Sequence, residues 1–384
     1  MTKVKLGDYV SLQTHKVDNI TAVSTSYVST ENLQPNKNGV LFPAASLPSS
    51  GKVNFYGVGD ILVSNIRPYF KKIWMAINPG THSSDVLNFR TKSPKLTQEY
   101  LYIVLESDSF FDYVTLTSKG TKMPRGDKDA IMDFEFSLPS LNVQQKLSNT
   151  IMTLERKILM SKQVNDNLLA LTDLYVTNFV SGIDNKVPLS YYTTGLNGHA
   201  FYKDGYDDYS KSKDQYFVFD LGNIDVDGNF RTTNKDKYFN KSRITNSLSK
   251  FILGYHDLVM IMTDRTQEMG ILGKTTFITK SNYYMLNQRI YRLRPIKDSY
   301  LPFVWAYLNS NEVHSYFKSV SLGTTQKYIN TGHINNLLVP KLEENAVEEF
   351  SEKVLPILNA VENNQDTLQT LTELRDELID SLIN

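Results

Sequence analysis

The sequence predicts an α+β fold built as two copies of one unit of about 200 residues, each a mixed globular part followed by a long helix. Three pairs of fragments carry this. Residues 168–175 (LLALTDLY) are matched 200 positions later by 368–375 (LQTLTELR). The stretch from Gly120, GTKMPRGDKDAIMDFEFSLPSL, is matched from Gly323 by GTTQKYINTGHINNLLVPKL at offsets of 203 to 201. Asp60-Ile-Leu-Val-Ser and Asp257-Leu-Val-Met-Ile lie 197 apart. Chance similarities would not keep one order and nearly one offset.

The pattern divides the chain at 1–140, 141–185, 186–340 and 341–384. In the globular parts, short β-branched and aromatic runs read as strands: Asp60-Ile-Leu-Val-Ser, Gln215-Tyr-Phe-Val-Phe, Leu258-Val-Met-Ile-Met and Arg289-Ile-Tyr-Arg-Leu. Polar turns such as Val226-Asp-Gly-Asn separate them. One helix is expected near the end of each part, around Gln98–Ser107 and around Leu301–Phe317. From Leu141 to Phe179 there is neither Pro nor Gly. Leu147, Ile151, Leu154, Ile158, Leu168, Leu171, Leu174 and Tyr175 follow steps of three and four, interrupted at Ser161 and Asn165. From Leu342 to Ile383 one seam holds Val347, Val354, Val361 and Leu368. A second holds Phe350, Ile357, Leu371 and Leu378, with Asn364 as a polar gap. A heptad pattern of this length predicts a coiled coil, and the available partner is the other copy's helix. About 40 residues at 1.5 Å each make a rod of roughly 60 Å. Asn165 and Asn364 are either register-setting seam residues or tolerated imperfections.

Composition excludes several classes. The 384 residues contain no cysteine, which removes disulfide frameworks, thiolate zinc sites and cysteine nucleophiles. No apolar run approaches the length of a membrane span, and MTKVKLGDYV lacks the apolar core of a signal peptide; a soluble cytoplasmic protein is expected. Gly270-Ile-Leu-Gly-Lys-Thr resembles a phosphate loop, but Glu268 stands where the first glycine is needed, and Thr276-Phe-Ile-Thr reads as strand. Asn78-Pro79-Gly80 is not a methyltransferase motif. Glu155-Arg-Lys157 has no neighbouring acidic cluster for a nuclease and reads as a solvated helix face. His15, His82, His199, His256, His314 and His333 show no metal-ligand spacing and read as loop or surface residues. A non-catalytic protein without its own cofactor or metal is expected.

The order of short motifs resembles the DNA-sequence specificity subunit of type I restriction-modification systems over essentially the whole chain. Val4-Lys-Leu-Gly-Asp-Tyr is similar to that family's opening segment. Gly59-Asp-Ile-Leu-Val-Ser-Asn-Ile-Arg-Pro-Tyr resembles its Gly-Asp-Ile-Leu strand with a following arginine. Leu138-Pro-Ser-Leu-Asn-Val-Gln-Gln-Lys resembles the junction between recognition domain and helix, and Gly323-Thr-Thr-Gln-Lys-Tyr-Ile-Asn resembles its Gly-Thr-x-Gln loop. Departures are His256-Asp257 in place of Gly-Asp, Asp264-Arg-Thr-Gln in place of the first copy's Ile-Arg-Pro, and Gly120-Thr-Lys-Met-Pro in place of Gly-Thr-x-Gln. The resemblance implies two target recognition domains, 1–140 and 186–340, reading the halves of a bipartite double-stranded DNA site. It implies an antiparallel coiled coil of the two spacer helices, on which two modification methyltransferase subunits dock, with restriction/translocase subunits joining them. S-adenosylmethionine, ATP and Mg would belong to those partners.

The chain has 41 basic and 41 acidic residues, so its net charge is zero. Neutrality argues at first against a nucleic-acid partner. The charge is unevenly spread, however: residues 1–140 carry +2, 186–340 carry +6 and 341–384 carry −8. Candidate DNA-binding residues in the first part are Arg67, Lys71, Lys72, Lys119, Lys122 and Arg125. In the second they are Arg231, Lys235, Lys237, Lys241, Arg243, Arg265, Gln267, Gln326 and Lys327. Arg and Lys suit guanine and phosphate, and Gln suits adenine; any one of them is equally a solvated surface group. Two rival readings are a duplicated interaction scaffold with no DNA role, for which 23 tyrosines are also suited, and a restriction enzyme with a concealed nuclease site.

Overall fold

The computed structural model describes residues 2–207, 213–224, 230, 236–265 and 267–383. Two compact units are present: residues 1–157 with 371–384, and residues 158–370. Both long helices are thereby divided between the units.

Each unit contains the same central sheet. In the first, Val10–Leu12, Val86–Thr91, Ile61–Ser64 and Ile73–Met75 lie side by side in that order. In the second, Thr193–Asn197, Ile290–Pro295, Leu258–Ile261 and Thr275–Phe277 repeat it. Every pairing in both sheets is antiparallel. The innermost strands are buried on both faces, which explains their unbroken apolar runs, Ile61–Val63 and Leu258–Ile261. A two-stranded ladder closes each part: Thr2–Lys5 on Glu135–Leu138, and Lys186–Pro188 on Leu338–Pro340.

The second sheets have diverged. The first unit adds Lys16–Asp18, Lys52–Tyr56, Gly80–His82 and Tyr27–Val28 as four strands; the second adds Lys237–Asn240, Gln215–Phe219 and Tyr284–Leu286 as three. The latter pack around Phe217, Phe219, Phe239 and Tyr284. His82, expected at the surface, is a buried strand residue whose desolvation depresses its basicity.

The helix expected over Leu301–Phe317 is two helices, Leu301–Leu308 and Asn311–Val320. Ser310 breaks it, because its side chain accepts the Val313 N–H and so caps a new helix. Ser107 does the same between Gln98–Glu106 and Asp108–Leu116. Leu301–Leu308 is buried along its whole length and Asn311–Val320 adds only Val313 and Phe317, while Tyr100–Glu106 and Phe110, Phe111 and Val114 serve the first core; Trp305 and Phe110 are among the largest buried side chains.

The long helices run Leu141–Val180 and Glu344–Ile383, 40 residues each. They are antiparallel: Glu155 meets Arg375 in the first unit, and the Tyr175 and Phe179 rings meet Phe350 at 5.3 and 5.0 Å in the second. The seam of the first helix is more polar than its leucines suggested. Ser148, Ile151, Ile158, Asn165, Thr172 and Val176 are buried, while Leu171 and Leu174 face outward. In the second helix Val347, Val354, Val361 and Leu368 are buried as expected. The other seam moves by one residue, to Leu358, Gln365 and Ile379, so Gln365 rather than Asn364 is its buried polar position. Steps of three, four and four separate Val347, Phe350, Val354 and Leu358, an eleven-residue period that resets a heptad. Pro356 lies in this stretch and cannot donate to the carbonyl four residues before it.

Candidate nucleic-acid interface

Two further features are duplicated in three dimensions. The first is an arginine clamp on a buried aspartate at the start of each central strand. The Arg90 Nε and Nη2 donate to the Asp60 carboxylate at 2.6 and 2.7 Å, and the Gly57 N–H donates to it at 2.9 Å. Arg294 grips Asp257 at 2.6 and 2.7 Å, with the Gly254 N–H at 2.7 Å. Burial opposes ionisation of Asp60, but Arg90 and Asn88 hold its carboxyl below the usual range. The residue before each aspartate is left-handed, Gly59 at φ 83° and His256 at φ 62°. The second copy thus keeps the turn without glycine, and the His256 ring stacks on Tyr255 at 3.8 Å.

The second feature is a hairpin laid beside the segment that leaves the central strand. Lys119 and Arg125 exchange two backbone hydrogen bonds of 2.9 Å, with Gly120 left-handed at φ 96°. Leu322 and Tyr328 exchange bonds of 2.9 and 3.0 Å, with Gly323 at φ 92°. Arg125 bridges to Ile66, and Tyr328 pairs with Thr263. A capped short helix follows each, Lys128–Met132 on Asp127 and Thr331–Asn335 on Asn330. This register makes Arg67 equivalent to Asp264, rather than to the Arg265 suggested by the linear motifs.

The fold therefore brings together Arg67, Lys119, Lys122 and Arg125 in one surface, and Arg265, Gln267, Gln326 and Lys327 in another. Their electrostatic states differ. Lys119 pairs with Asp127, and Arg125 lies 3.2 Å from Asp85. Arg67 and Lys122 are exposed and form no ion pair among the described residues. Lys71 does not share this freedom. It is buried, its ammonium 2.8 Å from Asp108, so the following helix rather than solvent receives its charge. Lys72 donates to the Thr30 carbonyl at 2.5 Å, and burial lowers its basicity. Tyr69 and Phe70 lie exposed between these basic residues, with ring centroids 4.8 Å apart.

In the second unit Arg265 is exposed and unpaired among the described residues. Gln267 donates to the Thr324 carbonyl at 2.8 Å and ties the two loops together. Lys237 lies over the Tyr206 ring at 4.6 Å, Lys241 over Tyr216 at 5.3 Å and Arg243 over Phe239 at 4.5 Å. Arg243 also contacts Asp207 at 2.9 Å. Arg231 and Lys235 lie outside the described residues. Among those described, no group of three or more His, Asp or Glu is placed to hold a metal ion, and no helix is long and apolar enough to cross a membrane.

The helices carry a feature that sequence reading missed. Met160, Val164, Leu171 and Leu174 are 47–64 % exposed and share one face of the first long helix, away from the seam. Periodicity alone could not separate this stripe from the seam, because both are apolar at helical spacing. Glu155, expected to be solvated, instead binds Arg375 at 2.7 Å.

Each unit thus repeats one α+β frame, with a hairpin laid beside the segment that leaves its central strand. The family described as type I restriction modification DNA specificity domain matches residues 7–170. The type I restriction enzyme MjaIX specificity subunit of Methanocaldococcus jannaschii is 21% identical over 348 residues, covering 85% of this chain and 77% of that protein. The crystal structure of a type I restriction-modification S subunit from M. genitalium aligns at TM-score 0.56 and 12% identity, covering 100% of this chain and 96% of the other. The HsdS subunit from Thermoanaerobacter tengcongensis aligns over 100% and 96% of the chains at 15% identity with a TM-score of 0.39, which adds no weight. Residues 7–170 thus match the type I DNA specificity domain, and the chain as a whole is similar to HsdS-like specificity subunits. Proteins of this class recognise DNA and leave catalysis to other subunits.

Proposed function

We propose that this chain selects a bipartite double-stranded DNA target for a type I restriction-modification complex, each globular part reading one half. The observation that carries this is the duplicated hairpin surface: two sequence-remote loops joined by the same backbone bonds in both units, each bearing unpaired cationic side chains. Side chains of this kind hold phosphates and read base edges. Arg67, Lys119, Lys122 and Arg125 would serve the first half-site; Arg265, Gln267, Gln326 and Lys327 would serve the second, to which Lys237, Lys241 and Arg243, on or next to the three-stranded sheet of the same unit, would add.

The helices set the distance between readers and offer the docking face. The Met160–Leu174 stripe is the surface we assign to the modification methyltransferase subunits, two per complex. These bring S-adenosylmethionine chemistry on adenine, and restriction/translocase subunits bring ATP and Mg. The complex acts on DNA in the cytoplasm.

The test is adenine-methylation mapping with the chain and its cognate modification subunit. Replacing residues 1–140 by the corresponding part of a relative should change one half-site only. Change in both halves, or in neither, would sink the two-reader assignment. A scaffold without a DNA role would show no DNA binding, whereas a specificity subunit's binding weakens steeply with salt as counterions are released.

A further inference from the structure

Comparing the two hairpin surfaces residue by residue separates what holds DNA from what reads it. The frame is common to both: the left-handed glycine, the hairpin bonds, the bridge to the segment leaving the central strand and the capped helix that follows. A frame shared by two readers cannot distinguish their half-sites; the side chains that differ upon it can. At one framed position the difference is complete. Arg67 in the first unit is exposed, whereas its counterpart Asp264 is buried and accepts the Ile271 N–H at 2.9 Å.

Arg67 is unusual in its own right. It is a non-glycine residue at φ 50° and ψ 62°, a conformation that costs free energy and persists only where surroundings impose it. The Arg67 N–H donates to the Pro124 carbonyl of the hairpin at 2.8 Å, and the Arg67 carbonyl accepts the Phe70 N–H at 2.9 Å. The backbone is therefore held from both sides while the guanidinium is left in solvent. The neighbouring cations are engaged: Lys71 by Asp108, Lys72 by Thr30, Lys119 by Asp127 and Arg125 by Asp85.

We propose that Arg67 reads a guanine in the half-site of the first domain, through two parallel hydrogen bonds to the base's O6 and N7, and that Asp264, at the equivalent position of the second domain, makes no such contact. A guanidinium on a preorganised backbone supplies the fixed fork that such a contact needs, which an ammonium cannot. Lys122, on the opposing hairpin tip and also unpaired, holds a phosphate beside it. The assignment rests on the DNA-specificity reading given above.

The experiment uses the full chain with its modification subunit, a randomised duplex library for methylation mapping, and binding titrations on specific and unrelated duplexes at several salt concentrations. The variants are Arg67→Lys and Arg67→Asn, the latter because asparagine tolerates the left-handed backbone. In both, the requirement for one G·C pair in one half-site should relax, with affinity for the original site falling roughly 10-fold or more. The other half-site should stay as in the wild type, and Arg67→Lys should bind unrelated duplexes as the wild type does. If Arg67→Lys keeps the full motif while Arg67→Asn weakens binding to every sequence and flattens the salt slope, Arg67 is a phosphate contact and the proposal is overturned. Arg67→Lys preserves charge, so it decides the matter even if Arg67→Asn fails to fold. Absence of sequence-specific methylation by the wild-type complex would instead overturn the specificity reading itself.

Discussion

Replacing Glu106 by glutamine should stabilise the first unit at neutral pH and should do so less and less as pH falls. Glu106 is fully buried at the end of its helix, and neither carboxyl oxygen has a hydrogen-bond partner. The nearest cation, the Arg375 Nη1, is 3.9 Å away and is already engaged by Glu155 at 2.7 Å, with Asp376 also on the guanidinium. Burial, then the Glu155 charge, push Glu106 from 4.5 up to about 8, against the pull of Arg375. A carboxyl that is harder to ionise in the folded chain takes up a proton on folding. Stability is therefore complete below the unfolded pKa and declines as pH rises towards the folded one. Between 4.5 and 7 this amounts to about 3 kcal/mol, at 1.36 kcal/mol per unit. Glutamine keeps the volume and does not titrate. Denaturant unfolding of wild type and Glu106→Gln, followed at pH 5 and pH 7.5, should show the variant ahead by a few kcal/mol at the higher pH and by under about 1 kcal/mol at the lower. An equal gap at both pH values would mean that Glu106 stays ionised beside Arg375, and the reasoning would be wrong.

Arg375→Met should cost the first unit about 3–5 kcal/mol, since it removes the buried cation to which Glu155 and Asp376 are bound; thermal unfolding measures it, and a loss below 1 kcal/mol would show the cluster to be well hydrated. Asp60→Asn and Asp257→Asn should each cost about 2–3 kcal/mol through loss of a charge-assisted bidentate clamp, and the double variant should cost the sum, because the clamps belong to different units. Leu171→Lys should leave the melting temperature within the error of a surface change yet abolish co-purification with the modification subunit; retained association would place the docking surface elsewhere.

Much of the fold was legible because duplication leaves a signal that single elements do not. The strands at Ile61 and Leu258 are apolar without interruption, and both follow an aspartate. Their shared offset told of a repeated unit before any contact was known. What stayed hidden was the reason for the aspartate. Arg90 and Arg294 lie 30 and 37 residues further on, and no local pattern announces a partner at that distance. The seams were half legible. Val347 to Leu368 stood out as a heptad, but the shift at Val354–Leu358 and the polar seam positions Asn165 and Thr172 depend on packing between helices. Exposed Leu171 and Leu174 imitate a seam for the same reason. At the candidate site, composition marked the basic loops, while only the backbone register revealed that Arg67 answers to Asp264 and that Lys71 is spent on Asp108.

Charge, finally, limits where DNA can lie. The segment 341–384 carries −8, and most of it is the second long helix. Phosphates at one per about 1.7 Å of duplex are repelled by such a surface within a Debye length of about 8 Å. A duplex laid along that helix would meet this repulsion over its whole length. On the proposed hairpin surfaces it would instead meet Arg67 and Lys122 in one unit and Arg265 and Lys327 in the other. The neutral total thus hides an uneven distribution: exposed cations stand on the hairpin loops of the proposed interface, and acidic residues line the second long helix. Reversing that distribution locally, by Glu348→Lys together with Glu352→Lys on exposed positions of the helix, should raise affinity for unrelated duplexes and steepen the salt dependence without altering the methylated sequence. An altered sequence would show that the helix contributes to reading as well as to spacing.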